Sequence, residues 1–364
     1  MDEKHYLIIG AQRPVGSTDN PGGILTATEG LLDFAREQRI KVSFLNVYSP
    51  SFPQPSQWVK VKRFFRRVKE LWALSKVNRY DNAFIFCSGG LGFFERIAMV
   101  AVLQHFKTKT LLYVVSGHFM DQVNRSSLFR FVSLQLLKLP DMIGAQGQNW
   151  VNFYQSYNVD LAKIRTIRNW LPLSFNAKIK TSEHINGPSD VKFVYAGWIV
   201  TKKGIFELLD AVKASPALQE CHFHLIGGGD QEKEAQVIIE SERLTNVVLG
   251  GWMDHSDVQE ELAKADVLVF PSHAEGFPNV LIEAMAHGLA IVATDVGAIA
   301  DAIDAGVNGY LVPPKDTARL MESLEAIARD YKNIPAMGRR SREIVQDLYS
   351  YEKNCEAVFK AFSD

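Results

Sequence analysis

Val267-Leu-Val-Phe-Pro-Ser-His-Ala-Glu-Gly-Phe-Pro-Asn-Val-Leu-Ile-Glu283, followed by Ala-Met-Ala-His-Gly288, is the stretch on which the reading of this chain turns. Residues 267–270 are continuously apolar, as expected of a strand buried on both faces of a parallel sheet. Pro278 is suited to a first helical position, where its missing N–H costs nothing. Gly288 is suited to ending the helix, and 289–294 reads as the next buried strand. Glu275 then falls in the loop and Glu283 inside the helix. Both carboxylates sit beyond the carboxyl end of a parallel strand, where open α/β sheets bind ligands.

The same alternation of apolar strands and amphipathic helices extends outward in both directions. Strands are expected at 6–10, 42–47, 83–87, 110–115, 142–145 and 164–168, and again at 191–196, 222–226, 246–249, 267–270, 290–294 and 310–312. Between the two sets, residues 172–190 are rich in Ser, Lys, Asn and Gly and show no period, the pattern of a linker. The expected organisation is an N-terminal Rossmann-like domain at 1–171, a linker at 172–190, a C-terminal Rossmann-like domain at 191–348 and a terminal helical segment at 349–364.

The Pro-Ser before Glu275, the Glu-Gly-Phe-Pro turn and the seven-residue interval to Glu283 resemble the donor-binding signature of retaining glycosyltransferases of family 4. The resemblance implies the α/β GT-B fold, with two Rossmann-like doubly wound parallel-sheet domains facing across a cleft, the last helix crossing back to the first domain. It implies that Glu275 contacts hydroxyls of the donor sugar, that backbone N–H groups of Gly276, Phe277, Pro278, Asn279 and Val280 surround the diphosphate (Pro278 having none to give), and that Glu283 binds the ribose. The chemistry suits these roles: a fixed carboxylate accepts from vicinal hydroxyls, and a helix N-terminus favours anionic phosphate. The competing reading of Glu283 is a merely solvated helix residue.

Weaker motifs extend the resemblance over most of the chain. Asn20-Pro-Gly22-Gly23 precedes a helix, and Gly22 and Gly23 match positions where backbone approaches the diphosphate; alone, such a pair is commonly a turn. Ser116-Gly-His118 follows the fourth strand, and His118 matches a histidine that reaches the donor sugar and the reacting centre. Lys202-Lys203-Gly204 matches the family's Lys-Gly cation, with Lys203 aligned to it and Lys202 beside it, whereas Trp198 stands where the family usually has Arg. That exchange removes one bidentate phosphate contact. The resemblance implies that Gly228, in a Gly-rich turn, lies near the nucleotide and that Trp252 lies where family members hold the base through backbone groups; the alternative for Trp252 is a core residue. Arg168-Asn-Trp-Leu-Pro172 keeps only the Asn of the usual Pro-Asn-Gly.

Composition is compatible with this picture and excludes others. The chain has 364 residues, 47% apolar and 22% charged, with a formal net charge of −1, so no global charge favours nucleic acid. Cys87, Cys221 and Cys355 form neither a C-x-x-C pair nor a metal spacing, which suits a reducing cytosol. Met-Asp-Glu-Lys leads directly into a strand without the basic and apolar regions of a secretory signal. A nicotinamide enzyme would need G-x-G-x-x-G after the first strand, and neither 10–16 nor 227–229 supplies it. No Asp-x-Asp is present, so no metal and no cofactor are expected, with Lys203 and helix N-termini neutralising the diphosphate.

Residues 56–80 concentrate charge. Lys60, Lys62, Arg63, Arg66, Arg67, Lys69, Lys76 and Arg79 face one acid, Glu70, while Trp58, Val61, Phe65, Val68 and Trp72 recur at helical spacing, joined by Phe64 and Leu71. A basic amphipathic helix with aromatic anchors suits an anionic membrane surface. Trp58, Lys62, Arg63, Phe65, Arg66, Arg67, Lys69 and Trp72 are the expected contacts, and 125–138 extends the surface. The plain alternative is a helix that packs its apolar stripe on the sheet. With the resemblance, which implies retention, these observations lead to the expectation of a retaining, metal-independent glycosyltransferase that uses a nucleoside-diphosphate sugar, UDP expected and GDP open. Its acceptor is expected to be a lipid-linked glycan of surface polysaccharide synthesis, met at the cytoplasmic membrane face. Two alternatives stand: a GT-B nucleotide-sugar epimerase, and an inactive binding subunit of a polysaccharide assembly complex.

Overall fold

The structure, a computed structural model, describes residues 4–13, 23–49, 55–172, 175, 177–178 and 185–363. The chain divides into two compact units, Met1–Leu173 with Ser350–Asp364, and Ser174–Tyr349. Each holds a six-stranded sheet paired in parallel throughout.

The first unit contains β1 (Tyr6–Gly10), β2 (Val42–Asn46), β3 (Asn82–Cys87), β4 (Lys109–Val114), β5 (Met142–Ala145) and β6 (Ile164–Thr166), in the order β2-β1-β3-β4-β5-β6. All six expected strands are present to within a few residues at their ends. Helices α1 (Gly23–Glu37), α2 (Gln57–Val77), α3 (Leu91–His105), α4 (Gly117–Arg125), α5 (Ser127–Leu136) and α6 (Gln148–Ser156) fill the crossovers. Only α1 leads to a strand in the opposite direction from the others, so right-handed crossing places it on one face and α2 to α6 on the other. The terminal helix Tyr351–Lys360 packs against α1: Phe34 stacks on Phe359 at 6.0 Å, and the Tyr351 hydroxyl donates to the Gly30 carbonyl at 3.1 Å. Tyr351, Cys355, Val358 and Phe359 thereby complete the core on that side of the sheet.

The second unit contains β7 (Lys192–Ala196), β8 (His222–Ile226), β9 (Val247–Gly251), β10 (Val267–Phe270), β11 (Ala290–Thr294) and β12 (Gly309–Val312), again matching the six expected strands. Its helices are α7 (Ile205–Ala214), α8 (Pro216–Gln219), α9 (Glu232–Ser241), α10 (His255–Lys264), α11 (Asn279–His287), α12 (Thr317–Arg329) and α13 (Ile334–Leu348). The order β12-β11-β10-β7-β8-β9 is the doubly wound 3-2-1-4-5-6 arrangement, and the direction of winding reverses between β7 and β10. β10 and β11 are buried at every position, as their continuous apolar sequences require. Pro278 differs from expectation: its ψ of 129° leaves it extended as the N-cap, and α11 begins at Asn279.

α2 also differs in orientation. Leu71, Ser75 and the guanidinium-bearing Arg67 are its buried residues, while Trp58 and Phe65 are 75% and 66% exposed. The helix is held to α3 by Arg67, which pairs with Glu95 at 3.2 Å and donates to the Tyr48 carbonyl, and by Trp72 stacked on His105 at 5.1 Å. Arg67 is therefore corrected from a surface contact to a buried structural cation. A charge withdrawn from water needs a carboxylate partner, and α3 supplies one. Leu71 likewise leaves the exposed stripe. Among the described residues no helix is long and apolar enough to cross a membrane.

Candidate functional site

The reversal point between β7 and β10 brings together residues that lie far apart in sequence. Lys203 belongs to the turn after β7 and Glu275 to the loop after β10, and the Lys203 ammonium pairs directly with Glu275 Oε1. The Ser272 hydroxyl donates to the same oxygen at 2.7 Å. The side chains of Lys203 and Glu275 are only 23% and 13% exposed, and the ammonium also lies 5.6 Å from the centre of the Phe270 ring. A cation and a carboxylate are thus held in a largely dry setting, where electrostatic interactions are stronger than at a water-exposed surface.

Three supports define that setting. The His273 amide donates to the Lys202 carbonyl at 2.9 Å, and the His273 ring meets Glu207 of α7 at 2.7 Å, tying the two loops together. Gly204 has φ of +72°, and a Cβ there would lie 2.0 Å from the Pro271 carbonyl oxygen, so only glycine lets the Lys203 turn sit against the end of β10. Gly297, with φ of +59°, lies under the Glu275 turn; its Cβ would meet the carbonyl oxygens of Glu275 and Gly276 at 2.3 Å. Ala298 N–H donates to the Gly276 carbonyl at 2.9 Å, closing the contact.

Glu283 lies in α11 and is buried, its residue surface 6% exposed. Gln259 of α10 donates to its Oε2 at 2.7 Å, and His255 lies 3.5 Å from its Oε1. His287, one helical turn beyond Glu283, meets Gln259 Oε1 at 2.9 Å. The Glu283 hydrogen bond holds the His255 pKa above the ordinary histidine value, whereas burial pushes that of His287 below it. The merely solvated reading of Glu283 does not describe this enclosed carboxylate.

The remaining expected residues fall on other elements of the two units. Gly276, Phe277 and Pro278 are buried, Asn279 and Val280 half-buried, and the Phe277 ring stacks on Tyr349 at 4.9 Å. Lys202 is exposed. Trp198 does not stand in for a phosphate-binding cation: its ring lies 5.0 Å from that of Trp252, which is 46% exposed, and a Cβ on Gly228 would lie 3.3 Å from the Trp252 ring. Gly228, Trp198 and Trp252 thus form one aromatic corner at the ends of β7, β8 and β9. In the first unit, His118 is exposed at the second position of α4, just after β4, and Gly23 is the first residue of α1. Gly22 lies outside the described residues. Gln122 of α4 accepts from the Gly90 amide at 2.8 Å, securing a Ser88-Gly-Gly90 loop after β3 that the sequence reading passed over.

Gln259, His255 and His287 were also passed over. Their signal is a pair of i, i+4 polar positions, His255 and Gln259 on α10 and Glu283 and His287 on α11, which place two polar faces opposite each other. None of the three cysteines is a nucleophile of the ordinary kind. All are buried, and burial pushes the Cys87 thiol up to about 12 and Cys221 up to about 11. Among the described residues no group of three or more His, Cys, Asp or Glu side chains is placed to hold a metal ion.

Residues 178–344 match the family described as glycosyl transferases, group 1. Over 171 residues the chain is 28% identical to an uncharacterized glycosyltransferase of Methanocaldococcus jannaschii, covering 47% of each chain. Over 177 residues it is 31% identical to the capsular polysaccharide biosynthesis glycosyltransferase CapM of Staphylococcus aureus, covering 46% of this chain and 45% of CapM. The chain thus spans about half the length of these curated relatives. Among solved structures it superposes on HepE of Anabaena in complex with UDP and glucose with a TM-score of 0.72, at 16% identity and covering 99% of both chains. The chain is accordingly a two-domain GT-B protein whose second unit carries a region matching group 1 glycosyl transferases.

Proposed function

We propose that the protein is a glycosyltransferase of polysaccharide biosynthesis that takes its sugar from a nucleoside-diphosphate donor, with UDP as the nucleotide. The observation that carries this reading is the Lys203–Glu275–Ser272 cluster at the reversal point of the second sheet, with Glu283 enclosed in the helix that follows. A carboxylate braced by a lysine is suited to accepting from sugar hydroxyls, and the same lysine beside a helix N-terminus is suited to a leaving diphosphate. Glu283 is assigned to the ribose, Gly228 and Trp252 to the base side, and Lys202 to a supporting charge. In the first unit His118 and Gly23 are the candidates for sugar and diphosphate contacts.

The reaction we favour is transfer with retention of anomeric configuration, without a protein nucleophile and without a metal. The departing diphosphate then accepts the acceptor proton, and the protein's contribution is electrostatic and positional. The acceptor we favour is a lipid-linked glycan met at an anionic cytoplasmic membrane face. CapM supports the polysaccharide setting, and the exposed aromatic and basic face of α2 supports the membrane one. Trp58 and Phe65 stand out of the helix among the exposed Lys62, Arg66 and Lys69, with the half-buried Arg63 bound to the Ser49 hydroxyl at 3.0 Å, while Trp72, expected on the same surface, is taken up by its contact with His105 of α3. On α5, Leu128 and Phe131 are 74% and 65% exposed on the same face of the sheet.

A screen of UDP- and GDP-sugars for thermal stabilisation and nucleotide release tests the reading. Glu283→Ala is expected to weaken nucleotide binding, and Glu275→Ala to reduce transfer more than binding of free UDP. Each loss should be roughly ten- to a hundredfold, the worth of a charge-assisted hydrogen bond. Wild-type transfer by both variants overturns the assignment. Isomerisation of the donor sugar without acceptor would identify an epimerase instead.

A further inference from the structure

Glu283 does not stand alone on α11, and the hydrogen bonds around it run in one direction. A carboxylate only accepts, so Gln259 must present its NH2 group to Glu283 Oε2, 2.7 Å away. The amide oxygen of Gln259 is then turned to His287 Nε2 at 2.9 Å, and that nitrogen must carry a proton. The other ring nitrogen, Nδ1, lies 3.1 Å from the Lys178 backbone N–H and 3.2 Å from the Lys178 carbonyl oxygen. A neutral ring protonated on Nε2 accepts from that N–H, and burial, which lowers the His287 pKa, favours the neutral ring. The Phe175 ring closes the far side, edge-on to His287 at 5.4 Å.

We infer that Gln259 and His287 are positioning residues for Glu283, forming a relay from the Lys178 amide through the imidazole and the glutamine amide to Glu283 Oε2. The relay rests on the reading that Glu283 receives the ribose hydroxyls, and it states how the protein aims that carboxylate. Oε2 is committed to the relay. Oε1, approached among the described residues by the long 3.5 Å contact from His255, is the oxygen presented to the ligand. A carboxylate with one oxygen fixed cannot swing, so its hydroxyl partners are met in one geometry, the requirement for a preorganised binding group. Phe175 and Lys178, near the start of the second unit, meet the His287 end of the same relay.

The test separates the relay from the nucleotide assignment. Nitrogen-15 spectra of the His287 ring in the intact protein should show the Nε2–H form in the wild type, and Gln259→Leu should shift both that ring and the Glu283 carboxyl carbon. A wild-type ring carrying its only proton on Nδ1, or a Glu283 carboxyl resonance unmoved by Gln259→Leu, overturns the relay whether or not nucleotide binds. With UDP as probe, Gln259→Leu should weaken binding about tenfold. Gln259→Glu, which opposes carboxylate with carboxylate, should weaken it further. Combining Gln259→Leu with Glu283→Gln should be no worse than Glu283→Gln alone, because the relay acts through Glu283. A folded Gln259→Leu protein that binds UDP like the wild type overturns the positioning role. Failure of the wild type to bind UDP, with both resonances as expected, removes the nucleotide reading and leaves the relay standing.

Discussion

Replacing Lys203 by Met tests the centre of the proposed site through both stability and transfer. Methionine keeps most of the side-chain volume over Phe270 and removes the ammonium, so among the described residues Glu275 keeps the Ser272 hydroxyl as its side-chain donor, at 2.7 Å. Fully exposed ion pairs contribute about 0.2–1 kcal/mol, and removing one partner of a fully buried pair costs about 3–5 kcal/mol. With side chains 23% and 13% exposed, this pair lies between those limits, and Lys203→Met should destabilise the second unit by about 2 kcal/mol. For a unit of this size that corresponds to a midpoint lowered by roughly 4–8 °C.

The sign of the coupling is the sharper prediction. In Lys203→Met the penalty is a stranded carboxylate, so adding Glu275→Gln should recover most of the lost stability. Transfer should not recover, because both groups are assigned to the donor. Unfolding followed through amides of the second unit, beside nucleotide release on a donor, measures the two quantities separately. Two single-variant costs that simply add would show that Lys203 and Glu275 do not depend on each other. Wild-type transfer by Lys203→Met would refute the role given to the lysine.

Four further outcomes are expected. Gly297→Ala forces a Cβ to within 2.3 Å of the Glu275 and Gly276 carbonyl oxygens at a φ of +59°, so it should cost about 2 kcal/mol or more and depress transfer more than Gly306→Ala, where the φ is also positive but nothing lies within 4 Å; equal losses would refute the buttress. In a ring titration by NMR, His255 beside Glu283 should protonate at higher pH than His287, which is enclosed by Phe175, Lys178, Gln259 and Glu283. Stability from the raised His255 is present below the ordinary value of 6.5 and lost as pH rises through its folded pKa, while the lowered His287 costs stability as pH falls below 6.5; the reverse order of titration refutes both assignments. Transfer should continue in excess EDTA, and a complete loss restored by Mg²⁺ or Mn²⁺ would contradict the metal-free mechanism. Flotation with anionic liposomes should weaken with salt and fall sharply when Lys62, Arg66 and Lys69 are changed to Glu, whereas a wild type that ignores anionic vesicles removes the membrane surface.

Much of this architecture is legible because parallel strands are buried on both faces, so β10 and β11 appear in the sequence as unbroken apolar runs. α2 shows where that legibility stops. Its period identifies an aromatic stripe but not the face that meets the sheet, and the buried face turns out to carry Arg67, Leu71 and Ser75. Arg67 is tolerated there because Glu95 and the Tyr48 carbonyl lie within reach, a fact of tertiary contact that no periodicity contains. Gln259 was invisible for a related reason: a glutamine on an amphipathic helix looks like solvent-facing surface until a carboxylate and an imidazole are found on either side of its amide.

Strand order explains why the two halves of the site meet. Lys203 and Glu275 are separated by 72 positions, yet β7 and β10 are hydrogen-bonded neighbours, so the turns leaving them are brought side by side. Strands next to each other where the winding reverses send their following helices to opposite faces, which opens room above the sheet between two loops instead of filling it with a crossover. Gly204 lets the Lys203 turn close on the end of β10, Gly297 lets the turn after β11 seat under Glu275, and one ammonium, one carboxylate and one hydroxyl meet where the loops come together. The position of the chemistry therefore follows from the topology, and its character from Lys203 and Glu275. On this argument, exchanging those two residues for each other should preserve the pair's stability better than either single change, while placing the cation on the β10 loop and abolishing transfer.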